Sequence, residues 1–209
     1  SKLVRSWSRF VQDQDVDGSA ASAAQSALEY NREALESVLY DSSVYGPLRS
    51  ALAVELASTL GAAIVQRTRE DATSTSRNFP MLLDDVLGAV LEARNADPGN
   101  LHPVDVLAWA TRDAINSGRM EPNERVEAIA SAIAALESTD RSTLSETQLA
   151  KVDGRSAELG KLLGNDSEAW EHLQRLERNS SPAATFFLAR FEADSGPAGL
   201  RAALSRLRD

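Results

Sequence analysis

The chain has 209 residues, of which 43% are hydrophobic and 25% charged, a balance typical of a folded protein and not of a disordered one. Its formal net charge of −9 disfavours non-specific nucleic-acid binding, which requires clustered cations. The absence of cysteine excludes a disulfide framework, a thiolate metal site and a cysteine nucleophile, and it is compatible with a reducing cytosol.

The sequence gives no indication of a membrane protein or a secreted one. The longest apolar runs, residues 62–65 and 128–136, are too short or too alanine-rich to predict a membrane span. No secretory signal precedes them, so we expect a cytoplasmic protein with neither membrane nor nucleic acid as partner. The chain starts at Ser1, directly inside an amphipathic pattern, and stops at the end of a helix pattern. We therefore expect a piece of a longer protein.

Helix is predicted throughout, because the chain is rich in alanine and has no long alternation of apolar and polar residues. The apolar spacing predicts about ten helices. The first runs from about residue 2 to residue 13, the second from about 19 to 40, and the third from Pro47 to about residue 69.

Proline and capping residues mark the later helix starts. Pro80, Pro103 and Pro122 suit a first helical turn, where the missing N–H costs nothing. Ser145 with Gln148 three residues later predicts a capping box for the seventh helix. Turns at residues 164–166 and 179–182 then separate the seventh, eighth and ninth helices, and a tenth helix follows with Leu200, Ala203, Leu204 and Leu207.

The polar segment 71–78 has no helical periodicity and resembles a linker. It predicts N-terminal helical hairpins over residues 1–71 and a helical-repeat stack over 79–209, with one continuous domain as the alternative. Helix starts near 103, 145 and 181 define hairpins of roughly 36–42 residues, the length of known helical repeats. The predicted fold is all-α, an α-solenoid of stacked antiparallel helical hairpins.

The last two hairpins resemble tetratricopeptide repeats. Leu159-Gly160 and Leu188-Ala189 are similar to the large–small pair on the first helix of that family, where the small residue lets the partner helix approach. The small residue that the family has on its second helix falls here on His172 and Arg201. The resemblance implies a protein-binding module, and such arrays are often attached to bacterial signalling or defence proteins, including NTPases of the STAND type.

A calcium site is one hypothesis for the acidic turn Asp13, Asp15 and Asp17 before Gly18, because alternate carboxylates followed by glycine resemble the start of an EF-hand loop. The bidentate glutamate expected at the twelfth loop position is Ala24. The alternative is a solvated turn that caps the next helix.

No catalytic residue and no cofactor are predicted, and the chain is not expected to be an enzyme. His102 precedes a helix opened by proline, and His172 is interpreted as a surface group beside Glu168 and Glu171. A histidine buried beside a carboxylate in a pocket would favour catalysis instead. No phosphate-binding glycine motif is present.

Aromatic residues are the candidate partner-binding groups. Trp170 lies on the apolar stripe of its helix, so core packing is its first interpretation, and Phe186 and Phe187 widen the stripe of theirs. We predict Phe186, Phe187 and Trp170 as contacts for a protein partner or for another domain of the same chain. The predicted function is an interaction, scaffold or sensor module. The alternatives are a regulatory helical domain of a STAND-type NTPase and a calcium-stabilised module.

Overall fold

The computed structural model describes residues 18–39, 46–69 and 79–207. Over these residues the chain forms nine α-helices and one short 3-10 helix, without any strand, which confirms the all-helical class. The predicted first helix lies outside the described residues.

The observed helices begin within a residue or two of the predicted starts. Their bounds are α1 Gly18–Leu39, α2 Gly46–Arg69, α3 Phe79–Ala96, α4 His102–Asn116, α5 Pro122–Glu137, the 3-10 helix Arg141–Thr143, α6 Glu146–Leu163, α7 Asp166–Glu177, α8 Pro182–Ala193 and α9 Pro197–Arg206.

Local chemistry explains the ends of α6. The Ser145 hydroxyl accepts from the Gln148 backbone N–H at 3.3 Å, and the Gln148 side chain accepts from the Ser145 N–H at 2.9 Å. This is the predicted capping box. At the other end Gly164 adopts a left-handed φ of 77°, which closes α6 and lets the chain turn back into α7.

The chain divides into two compact units, Ser1–Ala132 and Ile133–Asp209, so that α5 crosses the division. This is not where the sequence placed a boundary. The polar segment 71–78 lies outside the described residues, but α2 before it and α3 after it pack on each other. Both helices therefore belong to the first unit.

In the first unit α2 is the central helix, because it packs against α1, α3 and α4. A Cβ added at Gly61 would lie 2.7 Å from Val106 and 2.8 Å from the Trp109 ring, so glycine allows α4 to approach α2 closely. Residues Gly46–Thr68 also have the length and hydropathy of a membrane span. Half of the most apolar window is buried, as in an ordinary core helix, so the stretch does not argue for a membrane location.

The second unit has the neighbour pattern of two consecutive hairpins. Helix α6 packs on α7 and α8 packs on α9, while both α6 and α7 also pack on α8. This arrangement is consistent with a helical repeat. A Cβ at Gly154 of α6 would overlap the Phe187 ring of α8, and the Cβ at Gly160 would lie 3.5 Å from Ala169. Glycine is thus required at position 154 for α8 to approach α6, whereas a Cβ at Gly160 would make an ordinary van der Waals contact with Ala169.

Candidate functional site

An open groove of about 360 Å³ lies in the second unit, between the end of α6, helix α7 and helix α8. We call it the aromatic groove. It is lined by Lys161, Asp166, Ala169, Trp170, Leu173, Glu177, Leu188, Phe191, Glu192 and Ser195.

Trp170 is the most exposed aromatic residue of this groove, with 58% of its surface accessible. The buried residues of α7 are Ala169, His172 and Leu176. Trp170, Leu173 and Glu177 follow an i, i+3, i+7 spacing and form a neighbouring stripe, which lines the groove. The interpretation of Trp170 as a core residue is therefore wrong, whereas its predicted role as a partner contact requires an exposed ring of this kind.

The two predicted phenylalanines have different environments. Phe187 is only 4% exposed, and its ring meets the Phe186 ring edge-on with the two ring centres 5.7 Å apart. Phe187 is therefore a core side chain and not an accessible anchor. Phe186 is 54% exposed but does not line the aromatic groove. Phe191 does line it, and the Lys161 ammonium lies 5.6 Å from the centre of its ring.

The rim of the groove is mostly acidic. Glu192 is already paired with Arg206 of α9 at 2.5 Å, and Lys161 sits over Phe191. Within the part of the chain that the structure describes, neither Asp166 nor Glu177 forms a direct ion pair, although Glu177 lies near enough to Arg206 to help raise the pKa of that guanidinium. The groove therefore combines an apolar interior with two carboxylates that a basic side chain of a partner can approach, and Asp166 is the less compensated of the two.

A buried ion cluster, centred on Asp153, links α6 and α7, the two helices of the first hairpin in the second unit. Asp153 of α6 is 3% exposed, and its Oδ1 lies 2.9 Å from Nδ1 of His172 and 3.0 Å from Nε of Arg175. Its Oδ2 accepts from Arg141 at 2.7 Å. The interpretation of His172 as a surface group is wrong, because it is 5% exposed and faces the Asp153 carboxylate across the hairpin.

The proton of His172 is best placed on Nδ1. Arg175 Nη2 lies 2.7 Å from the same nitrogen, but a guanidinium can only donate. Nδ1 therefore either donates to Asp153 or accepts from Arg175, and the adjacent carboxylate favours donation. Burial alone would raise the pKa of Asp153, yet hydrogen bonds from His172, Arg141 and Arg175 together hold that pKa below its usual value.

Catalysis would require a histidine buried beside a carboxylate and also a cavity in which a substrate reaches that histidine. The first condition is met, but neither Asp153 nor His172 lines the aromatic groove. Because arginines occupy both oxygens of Asp153, the cluster is suited to holding α6, α7 and the 3-10 helix together.

The cluster should make the protein sensitive to acid. Since the folded pKa of Asp153 is below the ordinary 3.8, its stabilising effect is complete above about pH 4 and is lost as pH falls through the folded pKa. Urea unfolding between pH 2 and pH 7 should show a steeper acid loss for the natural protein than for Asp153→Asn. Parallel curves for the two proteins would contradict this.

The predicted calcium ligands Asp13, Asp15 and Asp17 lie outside the described residues, so the calcium hypothesis stays a prediction. Elsewhere, over residues 18–39, 46–69 and 79–207, no group of three or more histidine or carboxylate side chains is placed to hold a metal ion. His102 is exposed at the start of α4, with Nε2 3.0 Å from the Ser58 hydroxyl.

Sequence reasoning missed several groove residues. Leu173 and Glu177 follow Trp170 at helical spacing, and that spacing was the available signal. Phe191 and Lys161 come from other helices, and only tertiary packing brings them to Trp170. Compared with family models, with curated proteins and with solved structures, the chain gives no match.

Proposed function

We propose that this chain is a non-catalytic protein-recognition module, tetratricopeptide-like in its second unit, which binds an extended segment of a partner protein in the aromatic groove. The observation that carries the proposal is Trp170, a large aromatic side chain left 58% exposed beside an apolar groove. Tryptophan is enriched among the residues that dominate protein-binding energies.

The groove offers the contacts that one or two apolar side chains of a partner would need. Leu173, Leu188 and Phe191 provide apolar surface next to Trp170. A volume of about 360 Å³ is at the lower end for binding pockets, which suits an anchoring side chain better than a large cofactor.

The two carboxylates beside the groove indicate which charges the partner segment should carry. Asp166 and Glu177 stand at opposite ends of α7, roughly 16 Å apart along the helix at about 1.5 Å per residue. An extended chain covers this distance in about five residues. The segment that fits best therefore carries an apolar anchor between two basic residues about five positions apart.

Selection from a library of displayed random peptides tests the proposal. We expect binders that have an apolar anchor flanked by lysine or arginine, and Trp170→Ala should weaken their affinity by about 30-fold or more. The matched control is Phe186→Ala, which removes a similarly exposed aromatic side chain outside the groove and should leave affinity within about threefold.

Two results would overturn the proposal. One is a selection that yields no specific binder. The other is a set of binders that tolerate Trp170→Ala as well as they tolerate Phe186→Ala.

A further inference from the structure

Three exposed leucines share one side of α9. Leu200 and Leu204 lie within the helix, Leu207 is its C-cap residue, and 50%, 49% and 56% of their respective surfaces are accessible. Their i, i+4, i+7 spacing places them on one side of the helix, which we call the leucine face. None of the three lines the aromatic groove, so the leucine face is a separate surface.

The side of α9 that packs on α8 is made of different residues. Gly199, Ala203 and Arg206 directly precede the three leucines, so they lie about 100° away around the helix. A Cβ at Gly199 would overlap the backbone of Glu192 in α8. Ala203 is 3% exposed, and Arg206 pairs with the same glutamate. Helix α9 thus meets α8 through small residues and an ion pair, while its leucines remain half exposed.

Helix α7 shows what covers the corresponding side in the preceding hairpin. Both α7 and α9 have a buried seventh residue that faces the hairpin partner, His172 in α7 and Ala203 in α9. The eighth and eleventh residues of α7 are Leu173 and Leu176, and both pack in a hydrophobic cluster with side chains of α8. In the first hairpin, this side of the second helix is therefore covered by the helix that follows.

The same two positions of α9 are occupied by Leu204 and Leu207. Leu176 of α7 is 0% exposed, whereas these two leucines are 49% and 56% exposed. The leucine face therefore offers the kind of surface that α8 covers when it packs on α6 and α7. Contiguous exposed apolar side chains of this kind mark a protein interface, and a helix laid on them by its apolar side is a common way to fill it.

The charge of α9 selects among possible partners. The helix contains Arg201 and Arg206 but no acidic residue, and Arg201 follows Leu200 directly, at the exposed edge of the leucine face. Two copies of the chain that met through this face would bring arginines together without a carboxylate on either α9, which is unfavourable. A helix with glutamate or aspartate beside its apolar stripe complements the face instead.

We propose that the leucine face is the docking surface for an acidic amphipathic helix of a partner protein. The apolar stripe of that helix packs on the leucine face as α8 packs on α7, and a carboxylate at the edge of the stripe pairs with Arg201. This mode differs from the binding of an extended segment in the aromatic groove, and either can hold without the other.

A designed peptide tests the proposal on the full chain. The probe is an alanine-based helix of about 20 residues, with leucines at helical spacing and glutamates on both sides of them. Fluorescence anisotropy should give a Kd of about 100 μM or lower, and a peptide of the same composition in scrambled order should not bind measurably. No binding of the designed helix, or equal binding of the scrambled peptide, would overturn the proposal.

A second peptide separates the leucine face from general electrostatic attraction. It has lysine in place of every glutamate and should bind at least about threefold more weakly. Because the whole chain carries a net charge of −9, non-specific attraction would favour the lysine peptide. A preference for lysine would therefore contradict the proposal.

Variants place the binding on the leucine face. Leu204→Asp should weaken the affinity for the glutamate peptide by about tenfold or more. Leu91→Asp is the matched control, because it makes the same change at a leucine of α3 that is 52% exposed, against 49% for Leu204. Both variants add one negative charge, so only a loss confined to Leu204→Asp reports on the face. Equal losses in the two variants would overturn the proposal.

Two further measurements identify the occupant. Trp170→Ala should leave the affinity for the helical peptide within about threefold, which separates this site from the aromatic groove. A loss of tenfold would place the peptide in that groove instead. Sedimentation should show that the natural chain and Leu204→Asp have the same mass in solution. A natural dimer that Leu204→Asp converts to a monomer would show that a second copy covers the leucine face, and the proposal would fail.

Discussion

Replacing Phe187 with alanine is expected to lower the free energy of unfolding by about 3–5 kcal/mol. Its ring is 4% exposed and lies against Gly154 of the preceding hairpin, in a cluster with Ala150, Leu176 and Leu188. The truncation would leave a cavity at the contact that stacks α8 on α6. Urea unfolding followed by circular dichroism measures this loss.

The opposite change, Gly154→Ala, should cost about 1–3 kcal/mol because the new Cβ would overlap the Phe187 ring. Combining the two substitutions should cost less than their sum, since the added methyl group occupies space that the ring has left. Gly88→Ala is the control: nothing lies within 4 Å of its Cβ position, so it should not destabilise. Strict additivity of the two losses would show that α6 and α8 do not meet at these residues.

The second large effect is expected for Asp153→Ala, a loss of about 3 kcal/mol in the free energy of unfolding. Removing the carboxylate leaves His172 buried without its partner and separates Arg141 and Arg175 from their shared acceptor. The loss should fall at the lower end for buried ion pairs, because the side chains of the two arginines are 39% and 42% exposed and regain water.

Glu171→Ala provides the matched comparison for Asp153→Ala. It removes an exposed carboxylate from α7, and surface substitutions of this kind usually change stability by less than about 0.5 kcal/mol. If Asp153→Ala were no more destabilising than Glu171→Ala, the buried ion cluster would not hold the hairpin together.

The sequence predicted the helices well because their starts and stops depend on neighbouring residues. Pro122, the Ser145–Gln148 capping box and Gly164 each act within one turn of chain, and each is where its helix begins or ends in the structure. The fold class follows from such local signals together with apolar spacing.

Exposure within α7 could not be predicted in the same way. Ala169, Trp170, Leu173 and Leu176 read as a single apolar stripe, but successive residues differ by about 100° around a helix. In the structure Ala169 and Leu176 are buried while Trp170 faces solvent. Which part of a broad stripe is covered depends on where the neighbouring helices lie, and spacing along one helix does not contain that information.

The partnership of Asp153 and His172 was missed for a related reason. Local reasoning compared His172 with the glutamates of its own helix, whereas its partner is 19 residues earlier, on the other helix of the hairpin. The polar segment 71–78 is a similar case: its composition predicted a boundary, with one continuous domain as the alternative, and composition does not reveal that α2 and α3 pack together.

The most direct test of the proposed recognition role is the ¹⁵N spectrum of the tryptophan indole groups. The chain has three tryptophans, so the full protein gives three indole N–H signals, and Trp170→Phe and Trp109→Phe each identify one of them. On titration with a selected peptide that has basic residues on both sides of an apolar anchor, the Trp170 signal should shift progressively while the Trp109 signal, from the first unit, stays in place. A peptide that binds without moving the Trp170 signal would contradict recognition through the aromatic groove.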